Sequence, residues 1–228
     1  MTPEEQTCWT VVRSAAAGNT DDRERFVVTY SPVVKAYLEA RWSGTPLAGS
    51  LDDGIQDVFL ECFKEGGVLD RVDEIRRQSF RGFLYGVVRN VARRFERETA
   101  RNREEAAEGD FDFDALEREE ETFSKIFDRA WARTVLKEAV AIQLDRAAGQ
   151  GEAAEKRVEL LHLRFYEGLP IREIARRWDT DPELLHQQYR QARKEFRAAL
   201  LEVAEFHNPG SPEDAEREVE EIIAILSG

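Results

Sequence analysis

Cysteine is scarce: Cys8 and Cys62 are the only two among 228 residues, and they form no C-x-x-C pair. Neither a disulfide framework nor a structural zinc site is expected. The three histidines, His162, His186 and His207, share no metal-ligand spacing, so no metal or cofactor is expected. No run approaches the roughly 18 consecutive apolar residues of a membrane-spanning helix. The first seventeen residues carry Glu4 and Glu5 and hold no apolar signal core. The chain therefore reads as cytoplasmic, with no membrane partner. Alternating apolar and polar residues of strand type are also missing, which points to an all-α fold. No nucleophile–base pair, metal cluster or phosphate loop stands in the sequence, so no enzymatic activity is expected. The length suits two domains of about 100 residues each.

Charge is abundant and unevenly placed. The formal net charge is −13 and the pI is near 4.9, which argues against a general nucleic-acid binder. Locally the balance differs. Between Arg71 and Arg103 ten arginines face four acids; between Glu104 and Glu121 ten acids face Arg118 alone. Lys156 to Leu201 is mildly basic, and Glu205 to Gly228 is acidic again. Arginine outnumbers lysine 27 to 6. Its planar fork suits phosphate, so the arginine block is the first candidate for a nucleic-acid surface.

Apolar residues recur at helical spacing almost throughout. Trp9, Val12 and Ala16 mark a helix ended by Gly18-Asn19; a second follows through Phe26, Tyr30, Val33, Tyr37 and Leu38, with Pro32 expected to bend or interrupt it. Ser50 and Asp53 resemble a capping box for a helix bearing Ile55, Val58, Phe59, Cys62 and Phe63. Gly54 is unusual there, because glycine inside a helix costs about 1 kcal/mol relative to alanine. The next helix runs from Phe80 to Thr99. Its inner side carries Phe83, Leu84, Val87, Val88, Val91 and Phe95, and its outer side Arg89, Arg93 and Arg97 at i, i+4 and i+8. Residues 101–121 read as an acidic, solvated linker. Beyond it come a long helix from Thr122 to Gly149, one through Val158, Leu161 and Phe165, two more around Pro170–Trp178 and Pro182–Leu201, and a last from Glu213 to Leu226. The expected domains are 1–100 and 122–206, joined by the 101–121 linker and followed by an acidic extension at 207–228.

The sharpest local pattern is Gly168 to Phe196. Pro170 suits the start of a helix whose Ile171, Ile174, Ala175 and Trp178 face inward. Asp179-Thr180-Asp181 makes a short turn, and Asp181 can cap a second helix opened by Pro182. That helix has Leu185, Tyr189, Ala192 and Phe196 on one side and Glu183, His186, Gln187, Arg190, Arg193 and Lys194 on the other. Two helices joined by three residues match a DNA-reading helix-turn-helix, or an ordinary helical hairpin of a small bundle.

In combination these motifs resemble an extracytoplasmic-function sigma factor, a bacterial subunit that directs transcription initiation. The resemblance rests on three segments. The first is Tyr30-Ser31-Pro32-Val33-Val34-Lys35-Ala36-Tyr37-Leu38 with Asp53-Gly54-Ile55-Gln56-Asp57-Val58-Phe59-Leu60. The second is Phe80-Arg81-Gly82-Phe83-Leu84-Tyr85-Gly86-Val87-Val88-Arg89-Asn90-Val91, and the third runs from Glu173-Ile174-Ala175 to Gln191-Ala192-Arg193. It implies that Asp53, Gln56 and Asp57 dock on core RNA polymerase. It places the promoter −10 element near Arg76, Arg77, Phe80, Arg81, Arg89, Asn90, Arg93, Arg94 and Arg97, with Phe80 and Tyr85 as stacking surfaces for unpaired bases. It places the −35 element near Arg172, His186, Gln187, Arg190 and Arg193. The stretch after Thr122 and the acidic C-terminal helix are similar to a subgroup with an extended second domain. An anti-sigma protein or another regulatory partner is implied as a further possibility.

The reading helix departs from the family pattern: His186, Gln187 and Gln188 stand where Lys-Ser-Arg is common, and Asp181 and Glu183 make its start acidic. Two alternatives stay open, a DNA-binding regulator that acts without polymerase and a polymerase-binding protein that does not itself start transcription. The acidic 104–121 stretch either covers the chain's own arginine stripe or occupies a basic channel of a partner.

Overall fold

A computed structural model of the chain describes residues 7–64, 79–106, 111–209 and 211–227. The described residues hold α-helices and no strand, as the periodicity predicts. In chain order they are α1 (Cys8–Ala16), α2 (Thr20–Trp42), a short 3-10 turn (Ala48–Ser50), α3 (Leu51–Phe63), α4 (Phe80–Ala106) and α5 (Asp114–Arg118). Then come α6 (Glu120–Gln150), α7 (Glu152–Phe165), α8 (Ile171–Arg177), α9 (Pro182–His207) and α10 (Pro212–Ser227).

Helix starts follow local chemistry. Thr7 and Thr10 form a reciprocal capping box: the Thr7 N–H donates to the Thr10 hydroxyl at 2.9 Å, and the Thr10 N–H to the Thr7 hydroxyl at 3.4 Å. Asn19 accepts the Asp22 N–H at 3.0 Å and so opens α2. Pro32 does not interrupt α2, which runs through it from Thr20 to Trp42. Pro32 lies on the exposed face, where the carbonyl it leaves unbonded can meet water, while buried Tyr30, Val33 and Val34 hold the chain on either side. Ser50 makes no side-chain capping bond; the 3-10 turn before it leads directly into α3.

Two compact units divide the chain at positions the sequence reading does not anticipate. The first comprises Met1–Thr134 with Phe206–Gly228, and the second Val135–Glu205. The expected linker, the first part of the expected second domain and the C-terminal extension all belong to the first unit. Packing explains the difference. Phe127 and Trp131 of α6 are fully buried, and Trp131 stacks on Tyr30 at 5.8 Å between ring centroids. Ala215, Val219 and Ile222 of α10 are buried as well. His207, also buried, lies 2.7 Å from the Tyr30 hydroxyl, and its carbonyl accepts the Cys8 thiol.

Gly54 has a specific steric role in the first unit. A Cβ there would come within 2.5 Å of the Trp42 ring, so only glycine lets α3 lie this close to α2. In the second unit the core is Leu160, Ile171, Ile174, Ala175 and Leu185, with Leu163, Leu169, Trp178 and Tyr189 packed around it. Phe165, one of the apolar residues that mark α7 in the sequence, is 68% exposed.

Candidate functional site

The α3 ridge predicted to dock a partner is on the surface at two of its three positions. Asp53 and Gln56 are exposed, and exposed Leu60 continues the same face one turn further. Asp57 is half-buried and accepts a hydrogen bond from Arg94 of α4 at 2.9 Å; Glu61 lies 3.7 Å from the same guanidinium. Asp57 is therefore a tie between α3 and α4, and Arg94 is a structural cation, not an open phosphate contact.

The arginine row of α4 is the largest correction. Arg89 lies 3.5 Å from Glu117 of α5 and 3.3 Å from Glu120 of α6, and Arg93 grips Glu117 through two guanidinium nitrogens. Arg97, one turn on, is exposed and pairs with no described residue. The expected continuous stripe is thus covered over two of its three positions by carboxylates from the segment expected to be a solvated linker. Arg89 is the less satisfied of the covered pair. Its Nε is buried and makes no hydrogen bond, although the Glu120 carboxylate lies 3.3 Å from it.

Beneath the row lies a buried cation absent from the sequence reading. Arg41 of α2 has no exposed surface and donates to three carboxylates: Glu96 at 2.7 and 3.0 Å, Glu117 at 2.6 Å and Glu120 at 2.5 Å. Trp42 Nε1 also donates to Glu96, at 3.1 Å. Burial works against the Arg41 charge, but the hydrogen bonds to Glu96 and Glu117 outweigh it and hold the group firmly protonated. Hydrogen bonding to Arg93 foremost, and then to Arg41, draws the Glu117 carboxyl down to about 2 against the opposing effect of burial. A signal was present in the chain: Arg41 is in phase with buried Tyr37 and Leu38, and Glu96 with buried Val88 and Ala92. Two opposite charges in phase with two apolar faces are the mark of a buried pair.

The other positions assigned to the first promoter element diverge. Arg76 and Arg77 lie outside the described residues. Phe80 is fully buried against Trp9, Phe26, Tyr30 and Trp131, so it is core and cannot stack on a base. Arg81 lies 3.7 Å from Asp128 of α6 and donates to Glu221 of α10 at 3.1 Å. Tyr85 is half-buried and donates to Glu120, and burial pushes its hydroxyl up to about 12; its ring meets Tyr37 and Phe127 on its inner side. Asn90 is exposed on α4.

In the second unit the predicted turn geometry is realised. Asp179 has a φ of 47°, in the left-handed region, and the Thr180 N–H reaches the Ala175 carbonyl at 3.0 Å. This is a Schellman ending of α8 with aspartate in the place usually held by glycine. Asp181 then accepts the Glu183 N–H at 2.9 Å and opens α9. Leu185 and Ala192 are buried, which turns His186, Gln187, Arg190 and Arg193 outward; all four are exposed, as is Arg172 of α8. Arg193 lies 5.8 Å from the Tyr189 ring centroid, a cation–π distance. Arg157 of α7 braces α9 through Glu195 at 3.0 Å.

Among the described residues no group of His, Cys, Asp and Glu could hold a metal ion, and no helix is long and apolar enough to cross a membrane. The buried Cys62 thiol is pushed up to about 12 by burial and is unsuited to nucleophilic chemistry. Searches with family models, curated proteins and solved structures match nothing in this chain, so the functional reading rests on its own residues.

Proposed function

We propose that this chain is a sigma factor that binds core RNA polymerase and directs promoter-specific initiation. The observation that carries the reading is the α8–turn–α9 hairpin, in which a Schellman turn and an aspartate cap fix two helices while His186, Gln187, Arg190 and Arg193 stay on the outer face. Exposed Asp53 and Gln56 on α3, followed by exposed Leu60, supply a second surface of different chemistry. An acidic ridge with one apolar contact suits a basic protein partner, with charge setting encounter rate and register. The function needs both surfaces in one chain, one for protein and one for DNA, and involves no covalent chemistry.

Promoter-dependent transcription by purified core polymerase supplemented with the chain is the test. Specific initiation that is lost on substituting His186 and Gln187, or Asp53 and Gln56, supports the reading; core polymerase that initiates equally without the chain refutes it. A second reading, a regulator that binds polymerase or DNA without starting transcription, is favoured by one set of contacts. Phe80 is packed inside, Tyr85 is half-buried, and Arg81, Arg89, Arg93 and Arg94 all face carboxylates, which leaves Asn90 and Arg97 as the exposed members of the described α4 set. Co-purification with core polymerase without promoter-specific transcripts would select that alternative.

A further inference from the structure

We propose that helix α10 is a proton-controlled strap on the first unit, seated firmly while buried Glu218 holds a proton and loosened when Glu218 is ionised beside Asp128 and Glu221, with Arg81 between them. The inference goes beyond the transcription reading and does not depend on it.

Three acids from two helices gather around Arg81 of α4. Arg81 lies 3.7 Å from Asp128 of α6 and donates to Glu221 of α10 at 3.1 Å. Glu218, three residues before Glu221, is 7% exposed and accepts from the Asn208 side chain at 3.0 Å through Oε2. Its Oε1 is buried without a hydrogen bond, and so are Arg81 Nη1 and Trp131 Nε1. The Arg81 charge and the Trp131 N–H favour an ionised Glu218, but neither closes a hydrogen bond on that oxygen. His207 of α9 stands 4.8 Å from Trp131 between ring centroids and is engaged with the Tyr30 hydroxyl. With every acid ionised, three negative charges face one positive. Asp128 and Glu221 keep contact with water, and Glu218 has almost none, so Glu218 is where a proton relieves the excess. Burial pushes the Glu218 carboxyl above its ordinary value and the Glu221 charge adds to this; burial raises Asp128 as well. A protonated Glu218 also gains an O–H donor, where the ionised form has acceptors alone. An acid whose value rises on docking stabilises the docked state fully below its free value of 4.5, and loses that contribution as pH climbs through the docked value. α10 is therefore held more firmly in mild acid than at neutral pH.

The helix is built to move as a piece. Its buried residues are Ala215, Glu218, Val219 and Ile222, so a carboxylate sits in the middle of a short apolar seat. It caps itself: the Ser211 N–H donates to the Asp214 carboxylate at 3.2 Å, and the Asp214 N–H to the Ser211 hydroxyl at 3.3 Å. α10 thus begins without help from α9. The sequence Asn208-Pro209-Gly210-Ser211-Pro212 separates the two, and its prolines keep α9 from continuing into α10. Asn208 ties this junction to the cluster, because it also accepts the Phe80 N–H of α4 at 3.3 Å.

Hydrogen exchange of the full-length chain in mild acid, about pH 5, and at about pH 7.5 is the test, with each amide expressed as protection against the unstructured rate at the same pH. Both conditions lie above 4.5, where the Glu117 pairs are intact. Protection of the α10 amides is expected to be several-fold higher in mild acid, with α2 protection unchanged. Glu218→Gln, an uncharged isostere that keeps an acceptor for Asn208, should lift α10 protection at the higher pH to the parent's level in mild acid and remove most of the pH dependence. Glu220→Gln takes the same charge from an exposed position on α10 and should leave the parent's pH dependence in place. Protection of α10 that is equal at both pH values or lower in mild acid, an equal rise in α2, no gain from Glu218→Gln at the higher pH, or the same gain from Glu220→Gln would each overturn the strap. The parent comparison uses no substitution, so it decides the matter even where a variant folds poorly. Transcription plays no part in this readout, so the strap and the sigma-factor reading stand or fall separately.

Discussion

Helices α4 and α9 both carry arginine on a face opposite an apolar one, yet those arginines meet different surroundings. On α4, Arg81, Arg89, Arg93 and Arg94 each face a carboxylate from another helix. On α9, Arg190 and Arg193 are exposed, and neither forms an ion pair with a described residue. The arginine count of a helix therefore says little about its availability to phosphate. The difference lies in what the neighbouring helices present: α5 and α6 bring Glu117 and Glu120 to the α4 row, whereas exposed Glu183 at the start of α9 pairs with neither Arg190 nor Arg193. In the first unit the charges hold helices together; in the second they remain on the surface.

The sharpest way to break this contrast is Arg41→Ala. It would strand Glu96, Glu117 and Glu120 around an empty site, and losing one partner of a buried network costs about 3–5 kcal/mol. Denaturant unfolding of the first unit should show that loss; a midpoint within error of the parent would mean that the network is not a structural element. In the second unit Leu185→Ala tests the apolar counterpart. A fully buried leucine at the centre of the hairpin core should cost about 2–5 kcal/mol when truncated. Unaltered stability there would mean that the hairpin is held by something other than its core.

Gly54→Ala is a smaller perturbation. The added methyl meets the Trp42 ring at 2.5 Å, so overpacking of about 1–3 kcal/mol is expected, where an ordinary helix would gain from alanine. A more stable variant would show that α3 can shift without penalty. The smallest expected effect is in pH dependence. The Glu117 carboxyl falls from 4.5 to about 2 on folding, so its pairs stabilise fully above the unfolded value and are lost as pH drops towards the folded one. Glu117→Gln should flatten the acid limb of stability between pH 4.5 and about 2. An unchanged limb would place the acid sensitivity elsewhere.

Periodicity made much of this architecture readable. The apolar stripes of α1, α3 and α4 and the Pro170–Phe196 hairpin appear in the structure close to where their spacing puts them, because one buried face per helix leaves a 3.6-residue signature. Composition misled where it stood in for contacts. The 101–121 stretch is acidic and poor in apolar residues, which reads as a solvated linker, yet α4 continues through Ala106, and Leu116, Glu117 and Glu120 pack on the first unit. A carboxylate that neutralises a buried arginine looks in sequence like one that faces water. Phe80 misled for a related reason: an aromatic ring suits a core as well as a stacked base, and its residue type does not say which.

Helix content, the order of the helices and the outward face of α9 were already decided along the chain, since they depend on short-range backbone geometry and on which residues avoid water. Which carboxylate meets which arginine, why position 54 must be glycine, and the inclusion of α10 in the first unit were decided only when distant segments came together. Those outcomes depend on ångström-scale distances between residues tens of positions apart, and no local pattern encodes such distances.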